Sequence, residues 1–386
     1  MKKKPGLLTK LFVAIVLGVV FGLLTPYIGD WGIRSLNCFR DFFGQFIKFF
    51  VPFIIIGLVT PAIADTGKSA GRMLVMTMVI AYASTLFAGY FAYVVSSNIL
   101  PAVMTGTLGN AAEVKTFPAY FGLKIPPIMD VTTALVTSFM LGLGMIAAKA
   151  EILQKAAAEL RDVVTHTIAK SFVPFLPAYV FSVMADLTAS GKLAAVGGGC
   201  VKIMALALAT TTAVLLVQYT IAGVVTKRNP LKALWTMMPA YLTGWGCCSS
   251  AATLPYTLRQ TKLNGVSDET ADLAIPLCAN VHLAGSMANM VVFASGIIVL
   301  AGEPLTIGAF TQYILMISVI AVASPGVPGG VVLASASVAE VALGFSPERY
   351  AIMIALYMAL DGMGTACNLT GDGAIAMIVD RFKKQA

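Results

Sequence analysis

The sequence is poor in charged residues: Asp, Glu, Lys and Arg account for 11% of its 386 positions. A soluble domain carries roughly 25% charged residues, so this composition excludes a water-soluble globular protein. Hydrophobic residues account for 58% of the chain, and its mean hydropathy is +0.86. The length accommodates about eight apolar spans of roughly 20 residues with loops between them. We therefore predict a polytopic protein that lies in a lipid bilayer.

Cysteine and histidine are also scarce, with six and two residues. The cysteines are scattered, mostly within apolar runs, and they form neither a disulfide framework nor a zinc-binding spacing. Cys247 and Cys248 are adjacent, but no base and orienting acid stand at a spacing typical of nucleophilic catalysis. This pattern argues against an intramembrane enzyme and gives no candidate catalytic residue.

The net charge of +8 does not indicate a nucleic-acid partner, because the basic residues lie mainly beside apolar runs. Cytoplasmic loops of membrane proteins are enriched in Lys and Arg. Basic clusters at both ends of the chain and after the predicted sixth span therefore place both termini in the cytoplasm. These clusters contain Lys2, Lys3, Lys4, Lys227, Arg228, Lys232, Arg381, Lys383 and Lys384. We predict a multi-pass protein of the inner (plasma) membrane.

A polar stripe interrupts an apolar run near the C-terminus. At 100° per residue, four of its residues fall within about 60° of one another on one helix: Asp361, Thr365, Asn368 and Asp372. A carboxylate near the middle of a bilayer costs roughly 2.5–3.5 kcal/mol, and such residues usually line a substrate or ion path. The alternative is a polar seam between packed helices. No Lys or Arg occurs at positions 263–348, so a site there is predicted to be electronegative.

Two apolar segments in the last third of the chain are broken near their centres. A Ser-rich run interrupts Trp235–Leu258, and a cluster of Pro and Gly interrupts Ile307–Leu343. Breaks of this kind predict re-entrant hairpins, at about 230–260 and about 305–345, whose tips are buried in protein or line a cavity. Such a pair suggests an inverted repeat with a binding site between the tips. For either segment alone, a kinked span is the alternative.

Four motifs stand in order in this region: Ser249–Pro255 in the first tip, Pro276–Ala279, Gly326–Gly329 in the second tip, and Asp361–Asp372. Together they resemble the dicarboxylate/amino acid:cation symporter family, the prokaryotic relatives of glutamate transporters. The resemblance extends over nearly the whole chain and is specific in these last motifs.

The resemblance implies an all-α membrane protein with eight transmembrane helices and two re-entrant helical hairpins arranged as inverted repeats. It also implies a homotrimer and an elevator mechanism, in which a transport part moves against a fixed scaffold. The scaffold would comprise approximately residues 1–72 and 97–190, and the transport part approximately 73–96 and 191–386.

By the same resemblance, Asp361 would bind the α-amino group of an amino acid, and Asn368 would donate to its α-carboxylate. The second tip would close over the substrate. The expected substrate contacts are Ser249, Ser250, Val327, Pro328, Gly329, Asp361, Gly364, Thr365 and Asn368.

The resemblance makes Asp372 a carboxylate ligand of a transported sodium ion. Hard cations prefer oxygen ligands, which a carboxylate and unwound backbone carbonyls supply. The expected cation-binding residues are Cys278, Asn280, His282, Asn368 and Asp372.

Departures from the family's pattern refine this expectation. Acidic-substrate members carry an arginine at one of two positions, which here are Cys248 and Gly364. Without it a side-chain carboxylate would be buried unpaired, so we expect a small neutral amino acid, with Gly364 leaving space for its side chain. Ala284 and Leu86 replace expected ligands of a further sodium site, of which two hydroxyl partners, Tyr82 and Thr85, are retained. Fewer sodium ions should therefore be coupled than in acidic amino acid relatives.

His282 has two interpretations. It either couples protons or contacts substrate, since the ordinary pKa of a histidine side chain lies near physiological pH, or it is a structural histidine bonded across helices. The leading function is a sodium-coupled symporter that imports small neutral amino acids. The alternatives are a proton-coupled transporter of the same fold for amino acids or other small metabolites, and a passive channel-like pore.

Overall fold

The computed structural model describes residues 7–66, 72–104, 116–172, 174–247, 250–323 and 329–383. Within these ranges the chain is helical, with connecting loops and no strand. The first seven helices are α1 (Leu7–Ile28), α2 (Trp31–Thr66), α3 (Arg72–Val103), α4 (Val131–Ala147), α5 (Glu151–Thr167), α6 (Leu176–Ala189) and α7 (Lys192–Thr226). A short π-helical segment, Ile168–Phe172, follows α5.

The remaining helices contain at most 17 residues each, except the last, which contains 37. They are α8 (Pro230–Thr236), α9 (Met238–Cys247), α10 (Ser250–Leu263), α11 (Asp268–Val281), α12 (Ala284–Leu300), α13 (Ile307–Ala323), α14 (Gly330–Ala334), α15 (Ala336–Leu343) and α16 (Pro347–Lys383).

Small residues bring the first helix against the sixth. A Cβ atom on Gly18 would lie 2.7 Å from the Phe181 carbonyl oxygen, and one on Gly22 would lie 2.5 Å from Thr188 Cβ. Two glycines four residues apart therefore allow close backbone contact. Small residues allow the same contact between membrane helices, whose association is not driven by the hydrophobic effect.

In both predicted hairpin regions, the described residues on either side of the predicted tip are helical. In the first region α9 packs against α10, and both contact α16. In the second, α13 packs against α14 and α15. The tips themselves, residues 248–249 and 324–328, lie outside the described residues. The described parts agree with helical hairpins, and their placement relative to a bilayer stays a prediction.

In the part of the chain that the structure describes, four helical segments are long and apolar enough to cross a membrane: Met73–Val103, Gly198–Thr226, Asp268–Leu300 and Glu348–Lys383. A fifth is added if α5 and α6, which are bent by 48°, form one broken span. Shorter apolar helices occur at Phe12–Ile28, Pro52–Pro61, Val136–Ala147 and Ile307–Val322. A multi-pass membrane protein is thus supported, whereas the count of eight spans stays a prediction.

The centre of the protein is α12. It packs against α3, α7 and α16, and all of its residues except Val299 are buried. A helix that is apolar on every side and wholly buried lies in a core rather than at a lipid surface. The polar stripe on α16 faces this core, so the fold positions it away from lipid.

Candidate functional site

The stripe predicted from the sequence lies on one continuous helix, α16. All four of its polar residues are buried: Asp361 is 6% exposed, Thr365 7%, Asn368 4% and Asp372 1%. Their helical spacing directs them towards α11 and α12, which pack against α16. Two carboxylic acids are thereby enclosed in protein rather than exposed to lipid.

A break between α11 and α12 faces the stripe. His282 ends α11 in an extended conformation with φ −95° and ψ 99°, and Leu283 follows with φ −122° and ψ 38°. The first N–H groups of a new helix have no partner within the helix. Here those of Gly285 and Ser286 donate to Asn368 Oδ1 at 2.8 and 3.1 Å. An amide on α16 thus satisfies the start of α12.

The other end of the Asn368 amide is also bonded. Its Nδ2 donates to Ser286 Oγ at 2.9 Å. An amide nitrogen has two N–H groups, so one remains for the substrate carboxylate predicted from the sequence. Asn368 therefore fixes the helix break and keeps one donor.

Asp361 is held by two donors. The Gly329 N–H donates to Asp361 Oδ2 at 3.0 Å, and the hydroxyl of Tyr357, one turn earlier on α16, is hydrogen-bonded to the same carboxyl group. Tyr357 also bonds Ser286. Because Tyr357 donates to the carboxylate, it accepts from Ser286, whose oxygen in turn accepts from Asn368. A directed chain of hydrogen bonds thus joins the two predicted substrate-binding residues.

This chain of hydrogen bonds includes Tyr357 and Ser286, two residues to which no role was assigned from the sequence. Tyr357 lies four positions before Asp361, on the same helix face, so its spacing was a usable signal. Ser286 lies two residues after Ala284 and four after His282, both singled out from the sequence, but its role depends on the helix break.

The predicted tip residues are only partly described. Gly329 is buried with a positive φ of 75°, and a Cβ atom there would lie 2.6 Å from Met358 Sδ, so the position requires glycine. Ser250 begins α10 and is half-buried. Ser249, Val327 and Pro328 lie outside the described residues.

His282 is wholly buried and contacts three helices. Its Nδ1 lies 2.9 Å from Asp372 Oδ1 and 3.2 Å from the Asn368 carbonyl oxygen. Its Nε2 lies 3.1 Å from Ser84 Oγ on α3 and 3.0 Å from Gln218 Nε2 on α7. In this arrangement the Gln218 amide donates to Nε2, so Nδ1 carries the proton and donates to Asp372. These contacts are those of the structural interpretation, and Ser84 and Gln218 were not foreseen.

The cation-binding residues predicted from the sequence are not all brought together. Asp372 Oδ2 is buried and has no hydrogen-bond partner, although the other carboxylate oxygen, Oδ1, is hydrogen-bonded to His282. Cys278 is buried in an apolar cluster, and its carbonyl accepts from the His282 N–H at 2.8 Å. Asn280 is exposed, and its amide donates to the Pro276 carbonyl of its own helix at 3.2 Å. The Asn280 side chain is therefore outside the cluster.

The donor set fits a hard monovalent cation better than a transition metal. Across the described ranges, no group of three or more His, Cys, Asp or Glu side chains is placed to hold a metal ion. The free oxygen of Asp372 and the carbonyl groups at the end of α11 are the oxygen ligands that sodium prefers. The C-terminus of α11 lies at His282, which contacts Asp372, and a helix C-terminus carries partial negative charge.

The hydroxyl groups expected at the further sodium site have protein partners. Thr85 Oγ1 accepts from the Leu283 N–H at 3.0 Å, and Tyr82 Oη lies 2.7 Å from Ser318 Oγ. Ala284, the position without a carboxylate, is wholly buried. Loss of that sodium site stays a prediction, and these contacts are in keeping with it.

One buried polar side chain near the site was not predicted from the sequence to have a role. Asn289 lies one turn after Ser286 on α12, is 0% exposed, and has no hydrogen-bond partner at either amide atom. A Cβ atom on Gly364 would lie 3.0 Å from Asn289 Nδ2. The space that Gly364 was expected to leave for substrate is therefore bounded by this amide. The available signal was an amide within an otherwise apolar helix.

Comparisons with known proteins give the relatives of this chain and its family. The chain is 23% identical to a serine/threonine transporter SstT of Acinetobacter baumannii over 98% of both chains, and 24% identical to that of another strain with the same coverage. It is 22% identical to a serine/threonine transporter SstT of Streptococcus thermophilus, over 86% of this chain and 84% of that one. These relatives are transporters rather than enzymes. A model of the sodium:dicarboxylate symporter family matches residues 7–382, and the chain belongs to this family.

Proposed function

We propose that the protein is a secondary active symporter that imports a small neutral amino acid through the inner membrane, driven by sodium. The observation that carries this proposal is Asp361, a buried carboxylate joined to Asn368 through hydrogen bonds. Family membership and the names of the relatives support it.

Asp361 is the group that binds the substrate's ammonium. Its oxygens already accept from the Gly329 N–H and Tyr357, which fixes the carboxylate at the second hairpin. A carboxylate accepts up to about four hydrogen bonds, so an ammonium still finds acceptor sites. The remaining N–H of Asn368 then binds the substrate carboxylate.

The absence of positive charge in the sequence around the site sets the substrate class. No Lys or Arg occurs at positions 263–348, and Gly364 stands one turn from Asp361. A substrate with an acidic side chain would bring a carboxylate into a buried site without a cation to pair it, which is costly. Neutral side chains carry no such penalty.

Sodium binds at Asp372 and the carbonyl groups where α11 ends. Asn368 lies between the two sites: its side chain belongs to the substrate chain of hydrogen bonds, and its carbonyl contacts His282 beside Asp372. Sodium binding therefore stabilises the helix break from which the substrate site is built. This shared residue gives a physical basis for coupling.

Transport follows an elevator mechanism in a homotrimer, with residues 1–72 and 97–190 as scaffold and 73–96 and 191–386 as the moving part. Both termini are cytoplasmic. Proton coupling is the second candidate, because His282 and Asp372 form a buried pair that could exchange a proton. A passive pore is the third alternative, and it predicts current that is not proportional to uptake.

The test is uptake into proteoliposomes at a clamped membrane potential, with sodium and proton gradients imposed separately. Sodium-driven uptake of serine, alanine or threonine is expected, without competition from aspartate, glutamate or succinate at equal concentrations. Uptake driven by protons in sodium-free buffer would replace sodium by proton coupling. Strong competition by aspartate would contradict the neutral substrate class.

A further inference from the structure

Asn289 is the least explained polar group in the described core. More than nine-tenths of buried polar groups in proteins are hydrogen-bonded, and those that are not call for a reason. Asn289 is 0% exposed, yet its Oδ1 and its Nδ2 both lack a partner. An amide kept in this state lacks the stabilisation that a ligand would supply.

The position of Asn289 relates it to the proposed substrate site. It follows Ser286 by three residues on α12, and Gly364 follows Asp361 by three residues on α16, so each pair shares a helix face. Ser286 and Asp361 are already joined through Tyr357. The Asn289 amide therefore lies one helical turn from Ser286, which is joined through Tyr357 to the carboxylate proposed to bind the ammonium.

Gly364 lets α16 pack closely against this amide. A Cβ atom at position 364 would stand 3.0 Å from Asn289 Nδ2 and 3.6 Å from Ser286 Cα. A side chain at position 364 would therefore crowd the amide, whereas glycine leaves it facing the backbone of α16, one turn from Asp361.

The chemistry of an open amide selects a hydroxyl group. An amide offers a donor and an acceptor, and a hydroxyl group both donates and accepts, so one hydroxyl can satisfy both unpaired atoms. A carboxylate would accept only, and an alkyl side chain would leave both atoms unpaired. A site built to bond a hydroxyl rejects analogues that lack it more strongly than an apolar pocket rejects a missing methylene.

We propose that Asn289 recognises the side-chain hydroxyl of a short hydroxy amino acid whose ammonium is bound by Asp361. This inference rests on the proposed function. It makes Asn289 the residue that distinguishes serine from alanine, two substrates that differ by one oxygen atom.

The experiment compares serine with alanine on the full-length purified protein, in sodium, by thermal stabilisation and by proteoliposome uptake. The wild type is expected to bind serine about tenfold more tightly than alanine, the factor set by one well-formed hydrogen bond. Asn289→Leu, which keeps the volume and removes both polar atoms, should weaken serine binding by about tenfold and change alanine binding by less than about twofold.

Two further variants test whether the effect of Asn289→Leu is specific to the Asn289 amide. Asn289→Ser restores a donor and an acceptor and should recover part of the serine preference even if the leucine variant folds poorly. Ser295→Ala is the matched control, because Ser295 is buried on the same helix and bonds only its own backbone at Val291. It should leave both affinities unchanged.

The outcomes separate this inference from the proposed function. Equal loss of serine and alanine binding in Asn289→Leu, or an unchanged serine preference, would overturn the role of Asn289 while leaving the symporter proposal intact. A raised sodium requirement for both substrates in Asn289→Leu would indicate that Asn289 is a cation ligand. That result would also overturn its role in recognising a hydroxyl group. Failure of the wild type to bind any neutral amino acid in sodium would overturn both.

Discussion

Two apolar segments of this protein have similar hydropathy and opposite surroundings. Met73–Val103 has a mean hydropathy of 1.7 and Asp268–Leu300 one of 2.0, yet their most apolar stretches are 28% and 94% buried. The first exposes side chains such as Val75, Val79 and Val94 on its outer face. Hydropathy alone therefore does not distinguish a helix at the lipid surface from one in the core.

The difference explains where the chemistry lies. The buried segment is broken at His282 and Leu283, and a break at membrane depth leaves backbone groups that lipid cannot satisfy. Here Asn368 and Thr85 bond the freed N–H groups of Leu283, Gly285 and Ser286. A break of this kind is stable only in the core, so the polar site is built there.

The largest expected effect is at Asp361. Asp361→Asn keeps the shape of the side chain but removes its charge, so the substrate ammonium would be buried without an anion. An unpaired buried charge costs about 3–5 kcal/mol, which corresponds to more than a hundredfold loss of amino acid affinity. Titration of serine by thermal stabilisation measures this loss. Cys367→Ala, a buried change on the same helix, should retain wild-type affinity.

A comparably large effect on stability is expected outside the last third of the chain. Arg40 on α2 is 8% exposed and lies 3.0 Å from Asp41, 3.2 Å from Asp186 and 3.6 Å from Glu348. Arg40→Met should destabilise the protein by about 3 kcal/mol, because it leaves carboxylates without their buried partner. The exposed pair of Arg161 and Asp162 gives a control within the same half of the chain.

Arg161→Met should change stability by less than about 1 kcal/mol, as is usual for surface ion pairs. Both variants are compared by their melting temperatures in detergent with the wild type. Equal shifts in melting temperature would mean that burial does not determine how much an ion pair contributes to the stability of this protein. The contrast between buried and exposed ion pairs would then be wrong.

The next effect concerns coupling through Asp372. Asp372→Asn keeps an acceptor for His282 but removes the charge beside the free Oδ2. The sodium concentration for half-maximal uptake should rise by about tenfold or more, since a charge-assisted contact contributes about 1.5–3 kcal/mol. Serine affinity at low sodium should fall with it, because Asn368 connects the two sites. Unchanged sodium dependence would place the cation elsewhere.

Much of this arrangement was accessible from the sequence. The helical spacing of Asp361, Thr365, Asn368 and Asp372 predicted one buried stripe, and the structure has it on one helix. The two interruptions rich in Ser, Pro and Gly predicted re-entrant hairpins, and the described residues on either side of both predicted tips are helical. These features are local, so periodicity and turn chemistry reveal them.

Partners that meet across helices were not accessible. Ser84, Gln218 and His282 come from three helices, and nothing in their separate sequence neighbourhoods indicates that they converge. Asn289 is similar, because its significance depends on the missing side chain of Gly364 on another helix. Tertiary packing, not local pattern, determines such contacts.

The smallest expected effect is at the ion pair between the α12–α13 connection and α16, where Arg349 Nη1 lies 3.0 Å from Glu303 Oε2. The hydrogen bond and charge of Arg349 lower the pKa of Glu303 below its ordinary value. The pair therefore stabilises the fold fully above the ordinary pKa of glutamate, about 4.3, and the contribution is lost as the pH falls through the lowered value. The Glu303 side chain is 48% exposed and that of Arg349 26%, so the coupling energy should be less than about 1 kcal/mol at pH 7.

A double-mutant cycle of Glu303→Gln and Arg349→Met, followed by melting temperature at pH 7 and at pH 3, measures this coupling energy. The coupling should be small at pH 7 and smaller still at pH 3. A coupling as large as the loss expected for Arg40→Met would show that this connection is not a solvated surface, and the contrast between core and exposed ion pairs would have to be redrawn.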